Sequence, residues 1–158
     1  MVTSRDAVIA ALVLASLAAF LFTRGNGTHR AGAVLASWTL TPGVVNPDVT
    51  QATIRTTICV PGFSRSIRPP SDYTSRLKSE QIRAYGLSGS PSRFQEDHLI
   101  SLELGGHPTD PRNLWPEPYP RAGVVDGMEN ELHRRVCDGS MTLADARLRE
   151  SRIKHEDG

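Results

Sequence analysis

Glu96-Asp97-His98-Leu99-Ile100-Ser101-Leu102-Glu103-Leu104-Gly105-Gly106, followed after a short polar segment by Asp110-Pro111-Arg112-Asn113-Leu114-Trp115-Pro116, decides how this chain is read. An acidic residue and a histidine stand at the mouth of an apolar stretch, and a double glycine closes it. His98, Ile100, Leu102 and Leu104 alternate with Leu99, Ser101 and Glu103, the period of a strand with one apolar face. Gly105-Gly106 turns the chain, residues 107–112 make a polar loop, and Asn113-Leu114-Trp115 returns as a short strand cut off by Pro116 and Pro118. The expectation is a β-hairpin with a wide loop that brings Asn113 back near His98.

Downstream, Val125, Met128, Leu132 and Val136 mark the apolar stripe of a helix of about three turns over residues 125–137. Asp126, Asn130, His133 and Cys137 flank it as a polar stripe, and Glu129 falls on the apolar side one turn before His133. Gly139 ends this helix. Thr142, with Asp145 completing a capping-box-like pattern, starts a weaker helix over residues 143–149. Residues 151–158 read as a charged, frayed tail. His107 and His155 read as incidental residues of loop and tail.

Upstream of the hairpin, Pro-Gly and Asn-Pro pairs punctuate residues 39–67, and the β-branched run Thr56–Val60 suits a short strand ended by Pro61-Gly62. A helix over about residues 73–85 follows, capped by Ser71 or Asp72, with Leu77 and Ile82 buried and Gly86 as its stop. Arg65, Arg68, Arg76, Lys78 and Arg83 cluster here. This basic stretch suits phosphate contact, for which Arg65, Arg68 and Arg112 are the candidates, or else an ordinary solvated helix face.

The whole chain bounds these readings. Its 158 residues, 39% of them hydrophobic, hold one compact domain plus a terminal extension. A net charge of +1 announces no global basic field, so binding of nucleic acid needs local positive patches. Residues 7–22 are apolar except for Ser16. They are slightly short for a spanning helix but suit a signal-peptide core, and Ala31-Gly32-Ala33 offers a distant cleavage motif. Residues 1–36 are thus a signal peptide or an uncleaved membrane anchor, with the domain at 37–150 outside the cytoplasm: secreted, periplasmic or membrane-anchored. Export makes a Cys59–Cys137 disulfide plausible, closing a loop of about 80 residues for roughly 3–4 kcal/mol. Two buried free thiols are the alternative.

Phosphodiester hydrolysis needs a base to activate water and a cation to stabilise charge on phosphate and leaving oxygen. Histidine is the natural base near neutral pH. Asp-His-Leu-Ile-x-Leu-x-x-Gly-Gly followed by Asn-Leu-Trp-Pro resembles the core of the HNH, or His-Me finger, endonucleases. The resemblance covers about residues 96–137. It implies a small α+β domain with a ββα-metal core, the hairpin at about 96–115 plus the helix at about 125–137, around one divalent ion (Mg²⁺, Mn²⁺ or Zn²⁺). His98 matches the general base, Asn113 the asparagine that orients it and Asp97 a metal ligand. His133 is the best match for the helix ligand, with Glu129 or Asn130 as companion. The implied activity is metal-dependent endonucleolytic hydrolysis of nucleic acid, DNA ahead of RNA. The competing expectation is a non-catalytic, disulfide-stapled exported domain that binds a partner or an envelope polymer on the same scaffold.

Overall fold

The computed structural model describes residues 34–157. The apolar run at 7–22 and the cleavage motif at 31–33 lie outside the described residues, and no described helix is long and apolar enough to cross a membrane. The domain is a small α+β fold. It comprises α1 (Phe63–Ser66), α2 (Ser71–Ala84), β1 (Phe94–His98), β2 (Leu114–Pro118), α3 (Arg121–Cys137) and α4 (Leu143–Glu156).

The hairpin forms in the expected place with different limits. β1 and β2 pair antiparallel, Asp97 opposite Trp115 and His98 opposite Leu114. β1 ends at His98 instead of running on to Leu104, because residues 102–104 close into a 3₁₀ turn. β2 passes through Pro116 and Pro118 rather than stopping at them, as an edge position of a two-stranded sheet permits. The double glycine is not a hairpin turn. Gly105 takes a left-handed φ of 72° to end the 3₁₀ turn, and Gly106 forms a bridge with Val45 of the N-terminal segment. A Cβ on Gly106 would lie 1.7 Å from the Ile100 carbonyl oxygen, so only glycine fits that approach.

Three further expectations are corrected. Residues 56–60 are not a strand; a 3₁₀ turn at Ile54–Thr56 leads into turns, with Ile54 and Ile58 buried. α3 starts at Arg121, a turn ahead of the first residue of its stripe. The charged tail is no tail: α4, capped by Thr142 as expected, runs to Glu156 and buries Glu150, Ser151, Lys154 and His155. His155 stacks on Trp38 at 3.6 Å between ring centroids, and its Nε2 lies 3.0 Å from the Thr41 carbonyl. Sequence polarity hides this burial, because every one of those side chains finds a partner inside.

The main core gathers Val49, Ile54, Ile58, Ile100, Leu104, Leu132, Val136, Leu143 and Ala146, so the hairpin loop packs between the N-terminal turns and the α3–α4 pair. On the other side α2 buries Leu77 and Ile82, and Gln81 Nε2 donates to the carbonyls of Pro111 (2.8 Å) and Leu114 (2.7 Å). The Cys59–Cys137 disulfide joins the N-terminal turns to the end of α3.

Glu96 alternates with Asp97 to the opposite face of β1. Both its carboxylate oxygens are buried without a partner, and burial pushes its carboxyl up to about 8, with Lys78 opposing the shift and Asp97 adding to it. Below the ordinary value of 4.5 the group is neutral in both folded and unfolded chains. As pH rises from there to about 8, only the unfolded chain ionises, so folding stability falls, and it levels off above. Glu96→Gln is therefore expected to melt higher than the parent at pH 8 by about 2 kcal/mol, roughly 6 °C, with the gap closing toward pH 4.5. Thermal melts across that range check it; a pH-independent difference would sink the assignment.

Candidate active site

The site is built where β1, the hairpin loop, α3 and the last turns of α4 meet. Asp97, His98 and Ser101 come from the strand and loop, and Asp126 and Glu129 from consecutive turns of α3. They line one cleft of about 270 Å³ together with Gln95, Arg68 and Glu103.

His98 is buried, and its Nε2 lies 3.0 Å from the Pro108 carbonyl oxygen. A carbonyl only accepts, so Nε2 carries the proton and Nδ1 of the neutral ring keeps a lone pair. Burial first, then the charges of Lys154 and Arg68, hold the imidazole below its usual value, against the Pro108 hydrogen bond and Asp97. The ring is thus kept neutral, the form that can take a proton.

Asn113 does not touch that ring. Its Oδ1 accepts from the backbone N–H groups of Ile100 (3.0 Å) and Val44 (3.3 Å), and its Nδ2 donates to the carbonyls of Ile100 and His107 (both 3.0 Å). Leu99 N–H adds a bond to the Asn113 carbonyl at 2.8 Å. The side chain closes the loop and holds His107, next to the Pro108 whose carbonyl fixes His98. Asn113 is a positioning residue acting through one peptide unit.

The carboxylates are arranged around a buried ammonium. Lys154 Nζ, fully buried, donates to Asp97 Oδ2 (2.8 Å), Glu129 Oε1 (2.5 Å) and the His98 carbonyl (2.5 Å), and lies 3.4 Å from Glu150 Oε1. Glu150 Oε1 in turn accepts from Ser101 N–H at 2.9 Å. Burial opposes charge on all these groups. Lys154 outweighs it at Asp97, whose carboxyl is held below the ordinary range; the acids raise Lys154 well above its own. Burial prevails at Glu129 and Glu150, which are pushed up.

Asp97, Asp126 and Glu129 each offer one oxygen, all within 4.8 Å of one another. In the same cleft the Ser101 Oγ is buried with no hydrogen-bond partner. Hard oxygen donors with an orphan hydroxyl beside them fit a small hard divalent cation such as Mg²⁺ or Mn²⁺ better than zinc. His133 is not brought to this group. Its Nε2 lies 2.9 Å from the Ile58 carbonyl and 3.4 Å from Cys137 Sγ, and it lines a neighbouring cleft. Asp126, on the polar stripe of the α3 sequence, stands where His133 was expected. Arg112 forks onto Asp110, with Nη2 2.7 Å from Oδ2, and lines neither cleft. Arg68 lines both and Arg65 only the neighbouring one. Lys154 and Ser101 escaped sequence reading; the one signal for Lys154 is its place four residues after Glu150 on a helix.

No family model matches the chain, and no curated protein or solved structure is similar enough to match it.

Two outcomes test this geometry. Asn113→Asp keeps the shape but turns two donated hydrogen bonds into carboxylate–carbonyl repulsions, so it is expected to lose roughly 3 kcal/mol in urea unfolding. A loss under about 0.5 kcal/mol would be that of an ordinary surface change. Lys154→Met leaves three carboxylates facing one another and is expected to lose roughly 3–5 kcal/mol in EDTA. Manganese should then raise its melting temperature more than it raises the parent's, since a cation replaces the missing one; equal shifts would place the metal elsewhere.

Proposed function

We propose that the domain is a metal-dependent phosphodiesterase that cleaves nucleic acid outside the cytoplasm on a ββα-metal plan, with the hairpin supplying the base and α3 completing the cation site. The observation that carries this reading is the meeting, in one cleft, of a neutral histidine with a free Nδ1, three hard-oxygen donors and an exposed arginine. His98 Nδ1 takes the proton of an attacking water, whose oxygen forms a bond to phosphorus as the bond to the leaving oxygen breaks. Pro108 holds the ring in the tautomer this requires, and Asn113 holds Pro108 through the loop. Arg68 meets the negative phosphate at the cleft edge. Asp97, Asp126 and Glu129, with Ser101 Oγ in the same cleft, would hold a divalent cation, which would supply charge stabilisation for the phosphate and the leaving oxygen. The disulfide agrees with an oxidising compartment, hence with export.

One observation favours the second reading, a non-catalytic exported domain that binds a partner or an envelope polymer. Lys154 already occupies one oxygen of Asp97 and one of Glu129, and a cluster neutralised from within has less need of a metal.

Nicking of supercoiled plasmid and cleavage of single-stranded circular DNA with Mg²⁺ or Mn²⁺, with an EDTA control, separate the two. The phosphodiesterase reading expects metal-dependent cleavage, reduced about 100-fold or more in His98→Ala, which removes the base. Equal activity in parent and variant, or none in either, would exclude it and leave the binding scaffold.

A further inference from the structure

The neighbouring cleft, of about 560 Å³, is a large feature that the chemistry above leaves unused. Its walls are of two kinds. Val60, 42% exposed, and the half-buried Phe63 make an apolar side; Arg65 and Arg68, both exposed, make a cationic one. His133 and Glu103 close it, their Nδ1 and Oε2 atoms 3.9 Å apart. The size suits one small organic group rather than a duplex. The disulfide holds this cleft in shape: Cys59 lies in the wall, and Cys137 anchors it to α3.

Two residues, Arg68 and Glu103, line this cleft and the catalytic one alike, so the two are continuous. We infer that the cleft bounded by Val60, Phe63 and Arg65 is a subsite for one nucleotide of a single strand, adjacent to the phosphate being cleaved. Arg68 holds the reacting phosphate, Arg65 holds the next one along, and the base of the intervening nucleotide lies against Val60 and Phe63. His133 and Glu103 face the polar edge of that base or its sugar. An apolar wall with a flanking pair of arginines is how a single strand is gripped without reading its sequence: any base has a flat face, and every nucleotide brings one phosphate. A paired base cannot enter such a recess without leaving its stack. The inference rests on the phosphodiesterase reading for what lies next door, and it also accounts for His133 and the disulfide, which that reading leaves idle.

Binding, with no hydrolysis involved, is the test. A fluorescein-labelled single-stranded dodecamer is titrated by anisotropy onto His98→Ala protein in EDTA, with and without the further change Arg65→Glu. The charge reversal is expected to weaken binding about tenfold or more and to lower the slope of log K against log salt by about one, while Arg65→Lys keeps affinity within about threefold. The same dodecamer as a duplex should bind more weakly than the single strand. Near-equal binding by the Arg65→Glu and parent proteins would overturn the subsite, as would a duplex that binds as tightly as the single strand. Because Arg65 is exposed on the four-residue α1, circular dichroism reads the fold of the variant directly. Loss of the phosphodiesterase reading would appear in the cleavage assays alone, whereas loss of the subsite would appear in these titrations.

Discussion

A single ammonium group, out of reach of water on the last turn of α4, touches acidic side chains from three directions. Asp97 comes from β1, Glu129 from α3 and Glu150 from the same helix as Lys154 itself. None of these groups is tolerable alone. Burying one charge without a partner costs several kcal/mol, and removing one member of a buried set leaves the others exposed to each other's repulsion. The set is stable only when β1, α3 and α4 are all docked. The His98 carbonyl, which also accepts from Lys154, ties the strand end to the same point. Hydrophobic burial brings the helices onto the hairpin loop, but apolar contacts are tolerant of sliding. The ammonium is not, and it sets where Asp97 and Glu129 stand relative to each other.

The second constraint lies in the hairpin loop, where side-chain hydrogen bonds replace a sheet ladder. Beyond His98 the strands diverge, and the backbone groups of Ile100 and His107 have no strand partner. The Asn113 amide supplies both a donor and an acceptor to Ile100 and reaches across to His107. That fit requires the Gly106 backbone to pass where a side chain would collide with Ile100 and with the Asn113 amide itself, 2.7 Å from a Cβ placed there. Glycine and asparagine are therefore two halves of one device. Its output is the direction of the Pro108 carbonyl, and through it the tautomer of His98.

This explains how much could be read from the chain. Asp97, His98, Gly105-Gly106 and Asn113 are local signals, and the hairpin and the apolar stripe of α3 followed from spacing alone. So did the cap at Thr142, whereas the pairing of Cys59 with Cys137, which the structure shows, was expected from the export reading and from the count of two cysteines. What could not be read were contacts between distant polar residues. Glu129 looks misplaced on the apolar side of α3 until Lys154 arrives from the far end of the chain. Lys154 in turn looks like part of a frayed tail until its three acids are known. Helical spacing cannot say which cleft a half-buried residue faces, so His133, one turn beyond Glu129, was grouped with it when the Ile58 carbonyl holds it on the other side.

Charge is distributed so that a near-neutral protein carries strong local fields of both signs side by side. The acidic cleft repels phosphate as it stands. Lys154 offsets part of that charge, but from a buried position on the inner oxygens of Asp97 and Glu129, while Asp126 keeps its carboxylate in the half-exposed mouth. Under the proposed reading a second cation facing His98 from the open side would make the approach of an anion more favourable, so that binding of metal and of phosphate reinforce each other. Arg68 is the residue placed to couple them, since it lines the acidic cleft and its neighbour at once. Burial pushes the Glu129 carboxyl up and Lys154 opposes the shift; under the same reading a divalent cation would favour its ionised form. On that proposal the acids would draw a hard cation into the cleft, and the cation, once held, would offset enough of their charge to admit a phosphodiester.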